Sequence, residues 1–180
     1  MADFTADGEN AMKHPYIPRL MEPLVLEKSD VVHLLHPYSA NALKRTVKSP
    51  KLYFFDTGLV AFLTRWSSPE TLEAGAMSGA VFENWVVNEV GRSFSQRGIE
   101  PPLWYYRDRD GKEIDLVLER DGALHPVEIK KSAAPKREMA AAFRMLDPAP
   151  HPRGTGAIVC MVGEAGAVSS DVLVLPAWAL

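Results

Sequence analysis

The sequence predicts an α/β protein: a mixed β-sheet flanked by helices. Three observations carry that expectation. Residues 111–132 read as two alternating strands joined by Asp121-Gly122, a dipeptide suited to tight hairpin turns. Residues 79–98 repeat their apolar side chains with helical rather than strand period. Residues 157–162 form a short continuous apolar run, the pattern of a strand covered on both faces.

Taken in order, residues 1–16 are polar and aperiodic and read as a disordered tail. Residues 17–75 read as a small separate unit with a connector. A helix is expected to end over 17–21, stopped by Pro23. Residues 24–26 and 31–35 flank Glu27-Lys28-Ser29-Asp30 as a hairpin. Residues 51–55 form a further strand, and Asp56 or Thr57 caps a short helix over 58–65. Residues 67–75, with Ser-Ser-Pro and a glycine, read as the connector.

Residues 76–180 read as the main domain. In the first helix Phe82, Val86, Val87, Val90 and Phe94 share one arc, with Glu83 near its middle. Pro101-Pro102 breaks the chain before a strand at 103–107. Asp110-Gly111 then turns into the strand of Asp115, and Asp121-Gly122 into the strand of Glu128 and Lys130. A second helix spans 136–146, with Met139, Phe143 and Leu146 on its apolar stripe. Strands follow at 157–162 and 171–176, and Trp178 is expected to cover the sheet end.

The chemistry is concentrated in the hairpin. Residues two apart on a strand share a face, so Glu128 and Lys130 project together. A neighbouring strand brings Asp115 to the same face. Such charges are ordinarily just a solvated face. Glu83 changes the weighting, because a carboxylate in a buried stripe is costly unless paired or coordinating something. A divalent metal shared by Glu83, Asp115 and Glu128 supplies that partner, with a polarised water beside it.

This order of Glu83, Asp115 and Glu128-Ile129-Lys130 resembles the PD-(D/E)xK nuclease superfamily, although the usual proline before the aspartate is absent. The segments KSPKLYFFDTGLVAFL, GAVFENWVVNEV, WYYRDRDGKEIDLVLE and HPVEIKKS are similar to the C-terminal domain of unknown function 4143 in prokaryotic AAA-type ATPases. The resemblance implies a restriction-endonuclease-like sheet preceded by part of a winged-helix module. It also implies phosphodiester hydrolysis of DNA or RNA. Asp115, Glu128, Glu83 and the Ile129 carbonyl would hold Mg²⁺ or Mn²⁺, and Lys130 would orient water. The alternative reading is a catalytically inactive module that binds nucleic acid or another protein. No GxxxxGK[ST] loop occurs, so ATP hydrolysis is not expected of this chain, and an ATPase part elsewhere is the expected partner.

Composition narrows the rest. The chain has 180 residues, 47% hydrophobic, with a formal charge of −3. That balance argues against general coating of nucleic acid and leaves room for a local basic groove. Candidate phosphate contacts are Lys44, Arg45, Lys48 and Lys51, then Arg107 and Lys131 around the hairpin. The single Cys160 excludes an internal disulfide and a cysteine-rich zinc site. The sequence contains no membrane-length apolar stretch and no signal-peptide pattern, so the cytoplasm is the expected compartment.

Overall fold

A computed structural model describes residues 26–39 and 49–180. The fold is mixed α/β, with a six-stranded mixed sheet, a separate two-stranded sheet, and helices. The expectations for 1–16, 17–21, Pro23, Leu24 and Val25, and for Lys44, Arg45 and Lys48, lie outside the described residues.

The small ribbon pairs β1 (Val32–Leu35) with β2 (Lys51–Phe54), antiparallel, Val32 opposite Phe54 and Leu35 opposite Lys51. The expected hairpin at Glu27–Asp30 is instead a helix end. Residues 26–28 are helical, Asp30 takes φ 54°, and its N–H and that of Val31 return to the carbonyls of Glu27 and Leu26. This is the left-handed closure that terminates helices, so Leu26 does not enter a strand. Helix α1 (Thr57–Leu63) starts on Asp56, whose carboxylate accepts the N–H groups of Gly58 and Leu59. The expected connector holds a second helix, α2 (Pro69–Ala74). Ser68 and Thr71 cap it reciprocally, and Pro69 opens its first turn.

Helix α3 (Ser78–Ser95) leads into the sheet, whose order is β3-β4-β5-β6-β8-β7. Strands β3 (Leu103–Arg107), β4 (Glu113–Arg120) and β5 (Ala123–Lys130) form an antiparallel meander. The β4–β5 turn has Asp121 at φ 52° and Gly122 at φ 75°, the two positive angles that two-residue hairpins of this hand require. Strands β6 (Gly156–Cys160) and β8 (Val172–Pro176) add parallel to β5. Strand β7 (Gly166–Ser169) closes the far edge antiparallel to β8 and has no counterpart in the sequence reading. The other sheet edge is covered from outside. The His36 carbonyl accepts the N–H of Tyr105, and the N–H of Tyr38 donates to the Tyr105 carbonyl, so the chain after β1 runs along β3.

The sheet has a core on each face. On one, Val86 and Val87 of α3 meet Tyr105, Leu116, Val127, Ile129 and Val159. Burying each such aliphatic side chain is worth about 1.5–3 kcal/mol. On the other, Phe143 and Leu146 meet Ile114, Val117, Leu124, Ile158 and Cys160. The segment supplying Phe143 is a 3-10 helix, Arg137–Leu146, rather than an α-helix. Its buried residues Ala140, Phe143 and Leu146 recur every third position, as three residues per turn require. Trp178 does not cover the sheet end: it sits in a short terminal 3-10 turn and is 72% exposed.

Candidate active site

Among the described residues, the buried polar side chains are Asn84, Asn88, Asp115 and Glu128. The two asparagines are structural. Asn84 accepts the Phe54 N–H at 2.8 Å and donates to its carbonyl at 2.7 Å, imitating a neighbouring strand. Asn88 donates to the carbonyls of Phe54 and Phe55 and shares a hydrogen bond with the His33 ring. Helix α3 thereby fastens the ribbon through side-chain amides.

The two carboxylates lie where β4 and β5 part. The β4–β5 ladder runs from Arg120 opposite Ala123 to Leu116 opposite Val127. Beyond it, the Asp115 carboxylate accepts the Ile129 N–H at 2.8 Å. On the other side of β4, the register against β3 shifts between Trp104 and Tyr106. Two residues, Asp115 and Leu116, stand there against Tyr105 alone. Such an irregularity re-aims a side chain.

Lys130 joins the pair. Its ammonium lies 2.6 Å from Glu128 Oε1 and 3.6 Å from Asp115 Oδ2. The Lys130 side chain is 43% exposed, against 10% for Glu128 and 12% for Asp115. One end of the cluster therefore meets solvent. The other oxygen of Glu128, Oε2, is buried and has no hydrogen-bond partner.

Electrostatics follow from this packing. Burial, then the charge of Asp115, pushes the Glu128 carboxyl up to about 7, against the partial offset of Lys130. Asp115 is also raised, chiefly by burial, although the Ile129 N–H bond opposes the shift. Burial disfavours the Lys130 ammonium, but its bond to Glu128 and the neighbouring negative charges outweigh that and hold its proton more tightly.

Glu83 stands to one side of this cluster. The residues of α3 that are buried are Asn84, Val86, Val87 and Asn88, and the Glu83 side chain is 27% exposed. Its Oε1 accepts from Lys51 Nζ at 2.9 Å and from the Tyr53 hydroxyl at 2.6 Å. It remains near enough that its charge raises the proton affinity of both Asp115 and Glu128. Among the described residues, no group of three or more His, Cys, Asp or Glu side chains is gathered at metal-ligand spacing.

The basic candidates among the described residues, Lys51, Arg107 and Lys131, are engaged. Lys51 also pairs with Glu113, and Arg107 binds the second Glu113 oxygen at 2.6 Å. Lys131 donates to the Glu73 carbonyl at 2.8 Å. The side chain of Lys51, a candidate phosphate contact, is only 19% exposed and lies between two carboxylates. Tyr53 and Glu113 are absent from the sequence-derived set. Their signal is weak, since strand alternation alone pairs Lys51 with Tyr53.

Residues 78–180 match the family described as Domain of unknown function (DUF4143), more than half of the chain. The chain belongs to that family. Residues 24–70 match a second one, Domain of unknown function (DUF8612). The chain is similar to the uncharacterized protein Mb2031c of Mycobacterium bovis and the uncharacterized protein Rv2008c of Mycobacterium tuberculosis. Each is 34% identical over 115 residues, covering 63% of this chain and 25% of the relative. The matched stretch is thus about a quarter of the length of these relatives. No solved structure gives a significant match. No helix among the described residues is long and apolar enough to cross a membrane.

Proposed function

We propose that residues 76–180 form a restriction-endonuclease-like domain that hydrolyses phosphodiesters of DNA or RNA with a divalent metal. The observation that carries this reading is the Asp115–Glu128–Lys130 cluster. Two buried carboxylates meet one half-exposed ammonium, and Glu128 Oε2 lacks a partner. The donor set fits a hard cation, which takes oxygen ligands. Asp115, Glu128 and the Ile129 carbonyl would hold Mg²⁺ or Mn²⁺, with Glu83 contributing from the side. The chemistry supplied by such an ion is neutralisation of charge on the phosphate and acidification of water.

The chain's own residues supply the rest. Lys130, released from Glu128, carries its positive charge to the attacking side and orients water for in-line attack. A P–O bond forms to water as the bond to the leaving alkoxide breaks. The proton that water loses ends on the leaving oxygen. Arg107, whose side chain is half exposed, and Lys131 would contact the polyanion by exchanging their pairings with Glu113 and Glu73 for phosphate. As the family resemblance implies, the domain would serve an AAA-type ATPase part, and the unit before it would belong to a winged-helix-like module.

The test is cleavage of single- and double-stranded DNA and RNA in low salt with Mn²⁺, alongside calorimetric Mn²⁺ titration. Lys130→Ala should lower cleavage by about 10²-fold or more while Mn²⁺ binding persists. Equal cleavage by both proteins would assign the activity to a contaminant. Mn²⁺ binding without any cleavage would favour an inactive nucleic-acid-binding module.

A further inference from the structure

The candidate site does not end at the limits of the DUF4143 segment, residues 78–180. Glu83 is the one candidate acid contributed by a helix, and its Oε1 is gripped by two groups from β2. Lys51 Nζ lies at 2.9 Å and the Tyr53 hydroxyl at 2.6 Å. Lys51 and Tyr53 are two apart on a strand, so they share a face by the period of the chain. Neither lies within residues 78–180.

Three features set this knot apart from a casual surface ion pair. First, Lys51 ties α3 to β4, because its ammonium also meets Glu113, two positions before Asp115. Second, the strand carrying both groups is itself fixed to the helix. Asn84, next to Glu83, holds the Phe54 backbone on both its donor and its acceptor. The Lys51–Glu83–Tyr53 geometry therefore has little freedom to drift. Third, the knot adjoins the centre, since the charges of both Glu83 and Lys51 act on Asp115.

We infer that Lys51 and Tyr53 are positioning residues that aim Glu83 at the Asp115–Glu128 centre, so that the β1–β2 ribbon is part of the site. This rests on the metal-dependent reading above. Partners that orient a ligand side chain from behind typically change metal affinity by about 10–100-fold when removed. Tyr53→Phe deletes only the hydroxyl, and Lys51→Arg keeps the charge while changing its reach.

The experiment uses the full chain. Mn²⁺ affinity is measured by calorimetry for wild type, Tyr53→Phe and Lys51→Arg, each also in a Glu83→Gln background. Urea midpoints are recorded beside them. The expected result is roughly tenfold weaker Mn²⁺ binding for each single variant, with midpoints near wild type. In the Glu83→Gln background the same substitutions should have no further effect. Wild-type affinity in both single variants would overturn the inference while leaving the metal site standing. Equal weakening in the wild-type and the Glu83→Gln backgrounds would also overturn it, since the effect would then be general loosening of the fold. Absence of Mn²⁺ binding by wild type would be a separate failure, that of the metal reading, and would remove this inference with it.

Discussion

Replacing Glu128 by glutamine should stabilise the metal-free protein at alkaline pH. Glu128 is buried, stands beside Asp115, and leaves Oε2 without a partner, so its ionised form is disfavoured in the fold. The carboxyl moves from an ordinary 4.5 to about 7. Between those values the folded state holds a proton that the unfolded chain has released. Stability from this group therefore falls as pH rises from about 4.5 and levels off above about 7. At about 1.36 kcal/mol per pH unit the ceiling is roughly 3 kcal/mol. Water reaching the Lys130 end lowers the expected effect to about 1–2 kcal/mol. Glu128→Gln imitates the protonated form and lacks this slope. Urea unfolding in chelator from about pH 5 to about pH 8.5 should show the two proteins nearly equal at the acid end. The glutamine variant should lead by about 1–2 kcal/mol at about pH 8. If the site holds Mn²⁺ as proposed, adding it should reverse the order, because the ion would stabilise only the wild-type site. The reasoning fails if the glutamine variant is the less stable protein at alkaline pH without metal, or if the difference does not change with pH. Glu128 would then be an ordinary ion-pair partner of Lys130.

Other expectations concern the frame around the site. Asn84→Ala leaves the Phe54 N–H without its acceptor, while Asn88 still holds the Phe54 carbonyl, and should cost about 1–3 kcal/mol in urea unfolding, the cost of one buried orphan. Limited proteolysis should then cut first within the β1–β2 ribbon. Gly156→Ala would place a Cβ 2.6 Å from the Phe143 ring, where β6 and the 3-10 helix touch. Overpacking of that kind should cost about 1–3 kcal/mol, read as a lower urea midpoint.

The hairpin of Asp115 and Glu128 was legible because two local signals agreed: the Asp121-Gly122 turn and the alternation on either side. The helix of Glu83 was legible from its apolar repeat, and β6 from its unbroken apolar run. Other parts were hidden for identifiable reasons. Ser68-Pro69-Glu70-Thr71 can be a loop or a capped helix start, and only the reciprocal Ser68–Thr71 bonds separate the two. Strand β7 is short and has no buried residue, so it leaves almost no hydrophobic pattern. Glu83 sat on an apolar arc, yet nothing local showed that Lys51 and Tyr53, about thirty residues earlier, would answer its charge. Asn84 and Asn88, four apart on the same helix, carried a usable signal. Amides at that spacing on a packed helix need backbone partners, and the adjacent ribbon provides them.

The position of the two-residue turn also governs which changes of length the chain can absorb. Asp115 lies six positions before Asp121, and Glu128 six positions after Gly122. One residue added or removed between them would slide β4 against β5 by a single step. Successive side chains point to opposite faces, so that step would carry one carboxylate away from Lys130 and leave the other behind. Insertions in the 108–111 turn or in residues 147–155 leave this spacing intact. Lineages of the domain should therefore vary in length at those loops and keep the interval from Asp115 to Glu128 constant wherever the site is in use.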